Sequence, residues 1–404
     1  MREPDFVDEC YADKDLSLLK KLTLVIPTYN RNYYLSRCLW YHAHFPFGEI
    51  IVADSSPEEK KVVNRETVAK VREMFGANIR YLEYEPETEK YGGDIYRKWG
   101  DAVQHVETEY VIISKDKEFI IPPVLNIMID ALNKSKNCGA VTGLSGYIRF
   151  DKKTESFREY ISWSDPAKIG KIQNCDYPDP IKRVRAKSAG NHATPSLLTM
   201  YRSPGLKTIY ADLKRYEIND LRFGEAALWY LPVIQNACIF VNEYYKYEDL
   251  CMQRRGGGVN KKESSSNRYP FINEYVKEGV YDIFCRKFRK GMINNLCQYT
   301  HLSEEEIIDI VDEYIVKPVV LDKNANRNVL YLKLKQTYFP VDKIWYHLPR
   351  PIKQLLSPFF GIKKSHAELH LKKEEVIDQI LEDTHYLYDT DSSMIEIYDP
   401  IKKI

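Results

Sequence analysis

The 404-residue chain has almost no net charge: 59 lysines and arginines against 58 aspartates and glutamates leave +1. Proteins that grip nucleic acid through its phosphates carry a basic surplus, so composition makes no case for a nucleic-acid partner. Of eight cysteines, none forms a CxxC pair. Several sit inside apolar runs, where a thiol behaves as a small hydrophobe. Neither a zinc site nor a disulfide framework is expected, and a reducing compartment fits. No stretch reaches the roughly 18 apolar residues that a membrane span needs. The first ten residues, MREPDFVDEC, lack the apolar centre of a secretory signal. The expected location is therefore the cytoplasm. There is no GxGxxG, no Walker loop, and no local Ser-His-Asp or Cys-His motif.

Hydrophobic residues make up 44 % of the chain, enough for a substantial core. Tyrosine is abundant, at 31 residues. That abundance suits sugar-stacking surfaces, and an AT-rich genome gives the same bias. Residues 22–31 read LTLVIPTYNR, and residues 50–54 read IIVAD. Each is an apolar run that stops abruptly at polar residues. Such runs suit strands covered by helices on both faces. In parallel sheets, ligands gather at the carboxyl ends of the strands. Thr28, Asn30, Arg31 and Asp54 fall there.

After a polar lead-in over residues 1–20, strands are expected at 22–26, 50–53, 79–84, 110–113 and 139–142. Helices are expected between them at 33–43, from about 57 to 75, at 94–105 and at 122–134. Repeated strand–helix units imply an α/β fold with a mostly parallel sheet and helices on both faces. Residues 147–189 break the rhythm and read as loops or an antiparallel hairpin. Strands resume at 196–201 and 238–241, with a helix beginning near Gly224 between them. Beyond about residue 268 the pattern turns helical, giving a lead-in, a sheet domain over 21–268 and a helical region over 269–404. Helices are expected at 304–315, 326–336 and 374–387, the first opened by a capping box of Ser303 and Glu306.

Several side chains can carry chemistry, each with a plainer alternative. Asp54 can read a base or ribose, or serve as a cap or turn former. Asp116 and Glu118, one residue apart after the fourth strand, can face one cation, or form a solvated turn with Lys115 and Lys117. Glu225 can act as a general base at a helix start, or favour the helix dipole. Arg254 and Arg255, beside three glycines, can fold over a diphosphate with forked donors, or lie in a basic loop. His192, just before a strand, can meet an acceptor, or be a satisfied structural histidine.

Taken in order, VIPTYNR at 25–31, VADSS at 52–56, YVIISKDKEF at 110–119 and FGEAALW at 223–229 resemble the family 2 glycosyltransferases with a GT-A (Rossmann-like) fold. The resemblance spans about residues 20–250. It implies an inverting enzyme that moves a sugar from a nucleotide-sugar donor to a glycan, lipid-linked or protein acceptor, in surface polysaccharide or glycoconjugate synthesis. It implies that Thr28, Tyr29 and Arg31 border the nucleotide and that Asp54 meets its base. It also implies that Asp116 and Glu118 fall in the acidic motif that holds Mg2+ or Mn2+, and that Glu225 supplies the base. This chain departs from the pattern at Lys115 and Lys117, which flank Asp116, and at Ala226, where a second acid is usual. The two lysines can neutralise phosphate directly. A contrasting reading is a non-catalytic nucleotide-sugar or glycan-binding module that kept the fold. A nucleotidyltransferase would want a Gly-rich basic loop after the first strand, which residues 27–31 do not provide. Residues 345–364, WYHLPRPIKQLLSPFFGIKK, suit either a membrane-surface segment at the inner face of the cell membrane or an ordinary helix pair.

Overall fold

The structure, a computed structural model, describes residues 15–86, 91–151, 156–161, 172–249 and 272–321. The first half alternates strand and helix: β1 Leu22–Thr28, α1 Asn32–Ala43, β2 Glu49–Asp54, α2 Glu58–Phe75, β3 Ile79–Glu83, α3 Gly93–Gln104 and β4 Tyr110–Ile113. A short strand β5 Glu118–Ile120 and helix α4 Pro122–Lys134 follow, then the hairpin β6 Ala140–Asp151 and β7 Ser156–Ile161. Next come β8 Gln173–Asn174, α5 Pro180–Ala189, β9 His192–Ala193, β10 Met200–Arg202, α6 Ser203–Arg215, α7 Leu221–Gln235 and β11 Cys238–Asp249. Helices α8 Ile272–Lys277, α9 Tyr281–Tyr299, α10 Glu304–Val311 and α11 Lys317–Leu321 complete the described chain.

Every residue of β1 and β2 is buried. Their side chains alternate between two cores, one on each sheet face. Val25, Ile51 and Val111 enter one; Leu24, Ile26, Val52 and Ile112 enter the other. This double burial explains why these strands are continuous apolar runs. Helix α2 ends where Gly76 takes a left-handed φ of 63° and its amide closes on the Arg72 carbonyl. The capping box at Ser303 and Glu306 forms as expected.

The nine-stranded sheet runs β3-β2-β1-β4-β10-β6-β11-β5, with β7 paired to β6. Strands β3, β2, β1 and β4 are parallel. The chain moves outward from β1 to β3, then returns to place β4 on the other side of β1. That reversal is a topological switch point, and the crevice outside the carboxyl ends of β1 and β4 is where such sheets bind ligands. Thus the α/β, Rossmann-like layout with helices on both faces holds, with antiparallel strands added beyond β4. Helices α8 to α11 contribute Tyr275, Phe288, Met292, Leu296, Ile307 and Val319 to the same core that covers one sheet face.

Three departures from the sequence expectation have local causes. Residues 147–189 contain both the hairpin and α5, whose N-cap Asp179 accepts from the Ile181 amide. Helix α6 starts at Ser203 with proline in its first turn. Helix α7 starts at Leu221 rather than near Gly224, because the Asp220 carboxylate caps it by accepting from the Phe223 amide. Residues 254–255, 326–336, 345–364 and 374–387 lie outside the described residues, as does the expected boundary near 268. Among the described residues no helix is long and apolar enough to cross a membrane.

Candidate functional site

Three chain-distant segments meet at the switch point. The Thr28 hydroxyl, at the end of β1, donates to Asp116 Oδ2 at 2.8 Å. Arg31 Nη1 donates to Asp116 Oδ1 at 3.2 Å. Asp54 pairs in register with Thr28 across β1 and β2. Between them, Asn30 takes a left-handed φ of 54°, a conformation asparagine tolerates. Its amide donates to the Ser56 hydroxyl at 2.8 Å. Tyr29 and Arg31 are half-buried at this rim.

Asp54 itself is fully buried. One oxygen accepts from the Ser56 amide at 2.7 Å; the other accepts from Asn64 at 2.6 Å and from the Tyr81 hydroxyl at 2.5 Å. Burial and the Asp54 carboxylate both push the Tyr81 phenol well above its ordinary range. The side chain thus ties the ends of β2 and β3 to α2, in the manner of a turn former, and forms the floor of the rim.

The acidic turn is neutralised from inside. Glu118 is fully buried. Its Oε1 meets Lys246 Nζ at 3.1 Å and Lys115 Nζ at 3.6 Å. Its Oε2 accepts from the Lys115 amide at 2.9 Å. Burial works to raise the Glu118 carboxyl, but the two ammoniums and the amide outweigh it and hold it below its ordinary value. Burial likewise works against the Lys246 ammonium, and Glu118 overcomes it, so that lysine is held above its ordinary value. Lys115 and Lys117 also reach Glu248, at 3.6 and 2.5 Å.

The donor set does not fit a resident divalent cation. Both oxygens of Asp116 and both of Glu118 already face a cation, a hydroxyl or an amide. Among the described residues, no group of three or more His, Cys, Asp or Glu side chains could hold a metal ion.

Glu225 sits in the second turn of α7, beyond the reach of the N-terminal dipole. It lines a cleft of about 300 Å3 with Lys187, Arg222, Trp229, Tyr230, Pro318 and Val319. The Lys187 ammonium lies 4.9 Å from the Trp229 ring centre and 5.3 Å from that of Tyr230. Burial pulls it down to about 8. None of Thr28, Arg31, Asp54, Lys115 or Asp116 lines that cleft. His192 lies in the small β8–β9 sheet, bonded to Tyr177 at 3.0 Å and Asn191 at 2.7 Å, as a satisfied structural histidine would be.

Two rim residues escaped the sequence reading. Lys98, on α3, is buried and donates to the Thr28 carbonyl at 3.0 Å and the Ser55 hydroxyl at 2.6 Å. Lys246 comes from the far end of β11. One signal for it was present: a lysine between Tyr245 and Tyr247 in an aromatic strand.

No family model matches the chain, and no curated protein matches it. It is similar to several solved structures at low identity. One is S. aureus TarS 1-349 in complex with UDP-GlcNAc, 15 % identical, with a TM-score of 0.47 over 93 % of this chain and 89 % of that one. Another is the mannosyltransferase PcManGT from Pyrobaculum calidifontis in complex with GDP-Man and Mn2+, 11 % identical, with a TM-score of 0.38 over 97 % and 90 %.

Proposed function

We propose that the chain is a glycosyltransferase that binds a nucleotide-sugar donor at the β1–β4 switch point and transfers the sugar, with inversion, to a glycan, lipid-linked or protein acceptor. The observation that carries this reading is the junction of Thr28, Arg31 and Asp116 at the carboxyl ends of β1 and β4. Arg31 and Lys115 are partly exposed there, at 22 % and 34 %. Forked and ammonium donors of this kind suit a diphosphate. Trp229 is 43 % exposed and, with Tyr230, offers the Glu225 cleft an aromatic wall on which a sugar ring can pack.

In the proposed reaction Glu225 takes the proton of an acceptor hydroxyl as its oxygen attacks the anomeric carbon. The bond from that carbon to the diphosphate breaks. The nucleoside diphosphate leaves on the opposite face with the bonding pair, and Arg31 and Lys115 stabilise its growing charge. Glu225→Gln should abolish transfer while donor binding persists; unchanged turnover removes Glu225 from the role. A thermal-shift panel of UDP, GDP, CDP and CMP reports the base, since a ligand at 100 times its Kd stabilises by about 2.7 kcal/mol.

A second reading, a binding module without catalysis, draws on one observation: the Glu225 cleft shares no lining residue with the rim. Donor binding without transfer or donor hydrolysis would favour it.

A further inference from the structure

We propose that the ammonium groups of Lys246 and Lys115 stand in place of a divalent cation at this rim, so that a nucleoside diphosphate binds without metal. The inference rests on the nucleotide-sugar reading above and deepens it.

Strand β11 runs antiparallel to β5, with Glu248 opposite Glu118 and Lys246 opposite Ile120. Its register against β6 slips between Tyr244 and Lys246. A bulge of this kind re-aims a side chain, and Lys246 ends buried against Glu118 Oε1 at 3.1 Å. A carboxylate offers about four acceptor positions. On Glu118 three of them face the Lys246 and Lys115 ammoniums, both on Oε1, and the Lys115 amide on Oε2. A dication on that same oxygen would sit beside a largely buried ammonium, 3.1 Å away. Removing one partner of a buried ion pair strands the other charge at large cost.

The local charge balance agrees. Arg31, Lys115, Lys117 and Lys246 face Asp116, Glu118 and Glu248 through these ion pairs, leaving one positive charge in excess. The partly exposed Arg31 and Lys115 meet the phosphates. Lys246 stays beneath and cancels Glu118, which would otherwise repel them. Lys246 is therefore a positioning residue, whereas Lys115 touches the ligand.

The test uses the full chain. Calorimetry with UDP, GDP and CDP is run once with EDTA and once with Mn2+, and Mn2+ binding alone is followed by its paramagnetic resonance signal. The expected Kd for the preferred diphosphate agrees within about twofold in the two buffers, and equimolar wild-type chain leaves the free Mn2+ signal undiminished. Lys246→Ser, which removes the nearer ammonium from Glu118, should bind Mn2+ and make diphosphate binding metal-responsive. Should that variant fail to fold, Lys115→Ala, at a half-exposed position, should weaken diphosphate binding about tenfold in EDTA, which is about 1.4 kcal/mol. Binding that tightens tenfold or more with Mn2+ in the wild type overturns the metal-free reading and leaves the nucleotide reading standing. No binding in either buffer overturns both.

Discussion

Replacing Asp220 with asparagine should change the pH dependence of stability by a defined amount. Asp220 caps α7 and is fully buried. Its Oδ1 accepts from the Phe223 amide at 2.8 Å and from the Tyr275 hydroxyl at 2.9 Å, while Oδ2 is buried without a hydrogen-bond partner. Burial raises the carboxyl from 3.8 to about 6, against the opposing pull of those hydrogen bonds. The folded state therefore holds the proton more tightly than the unfolded chain. The contribution to stability is full below pH 3.8, falls as pH rises, and is gone above about pH 6. At 1.36 kcal/mol per unit, the swing is about 3 kcal/mol. Asparagine keeps the capping oxygen and has no proton to lose. Urea unfolding of both proteins, followed by tryptophan fluorescence across this range, should show the variant gaining about 3 kcal/mol relative to wild type from acid to neutral pH. A difference that stays constant with pH, or that moves the other way, would refute the argument.

Two further substitutions probe how α7 is seated. Gly224→Ala would put a Cβ 2.5 Å from the Tyr96 ring, which is itself bonded to the Leu221 carbonyl at 3.1 Å. Overpacking of about 1–3 kcal/mol outweighs the roughly 1 kcal/mol of helix propensity gained, so the melting temperature should fall. Arg183 donates to the carbonyls of Tyr177, Pro178, Val233 and Ile234, a fan that only a guanidinium can span. Arg183→Lys should cost about 3 kcal/mol in urea unfolding, because buried carbonyls lose charged donors.

The parts of the fold that position the rim were legible because their burial is two-sided. Strands β1, β2 and β4 lie between two cores, so their central residues are apolar, and the polar residues that end them mark the ligand edge. Thr28 and Asp116, 88 residues apart, thus both follow strands that end at one edge. What escaped depended on competing local signals. The stretch 203–215 carried no expected element, yet proline suits the first turn of a helix, and α6 begins there. Lys246 was hidden by a slip in strand register, which no period-two pattern can anticipate. Lys98 was one polar residue in a helical stretch, and only the packing of α3 under β1 aims it at the Thr28 carbonyl. The neutralised state of Asp116 and Glu118 was half visible in the flanking Lys115 and Lys117. The decisive partners, Arg31 and Lys246, come from elements far away in the chain.

The proposed transfer requires a diphosphate to be held at the ends of β1 and β4. Calorimetric titration of the diphosphate with the largest thermal shift, against wild type and Arg31→Ala, addresses that directly. One saturable site weakened tenfold or more in a folded Arg31→Ala protein is the predicted result; equal affinity in the two proteins, or no saturable site in the wild type, would contradict it.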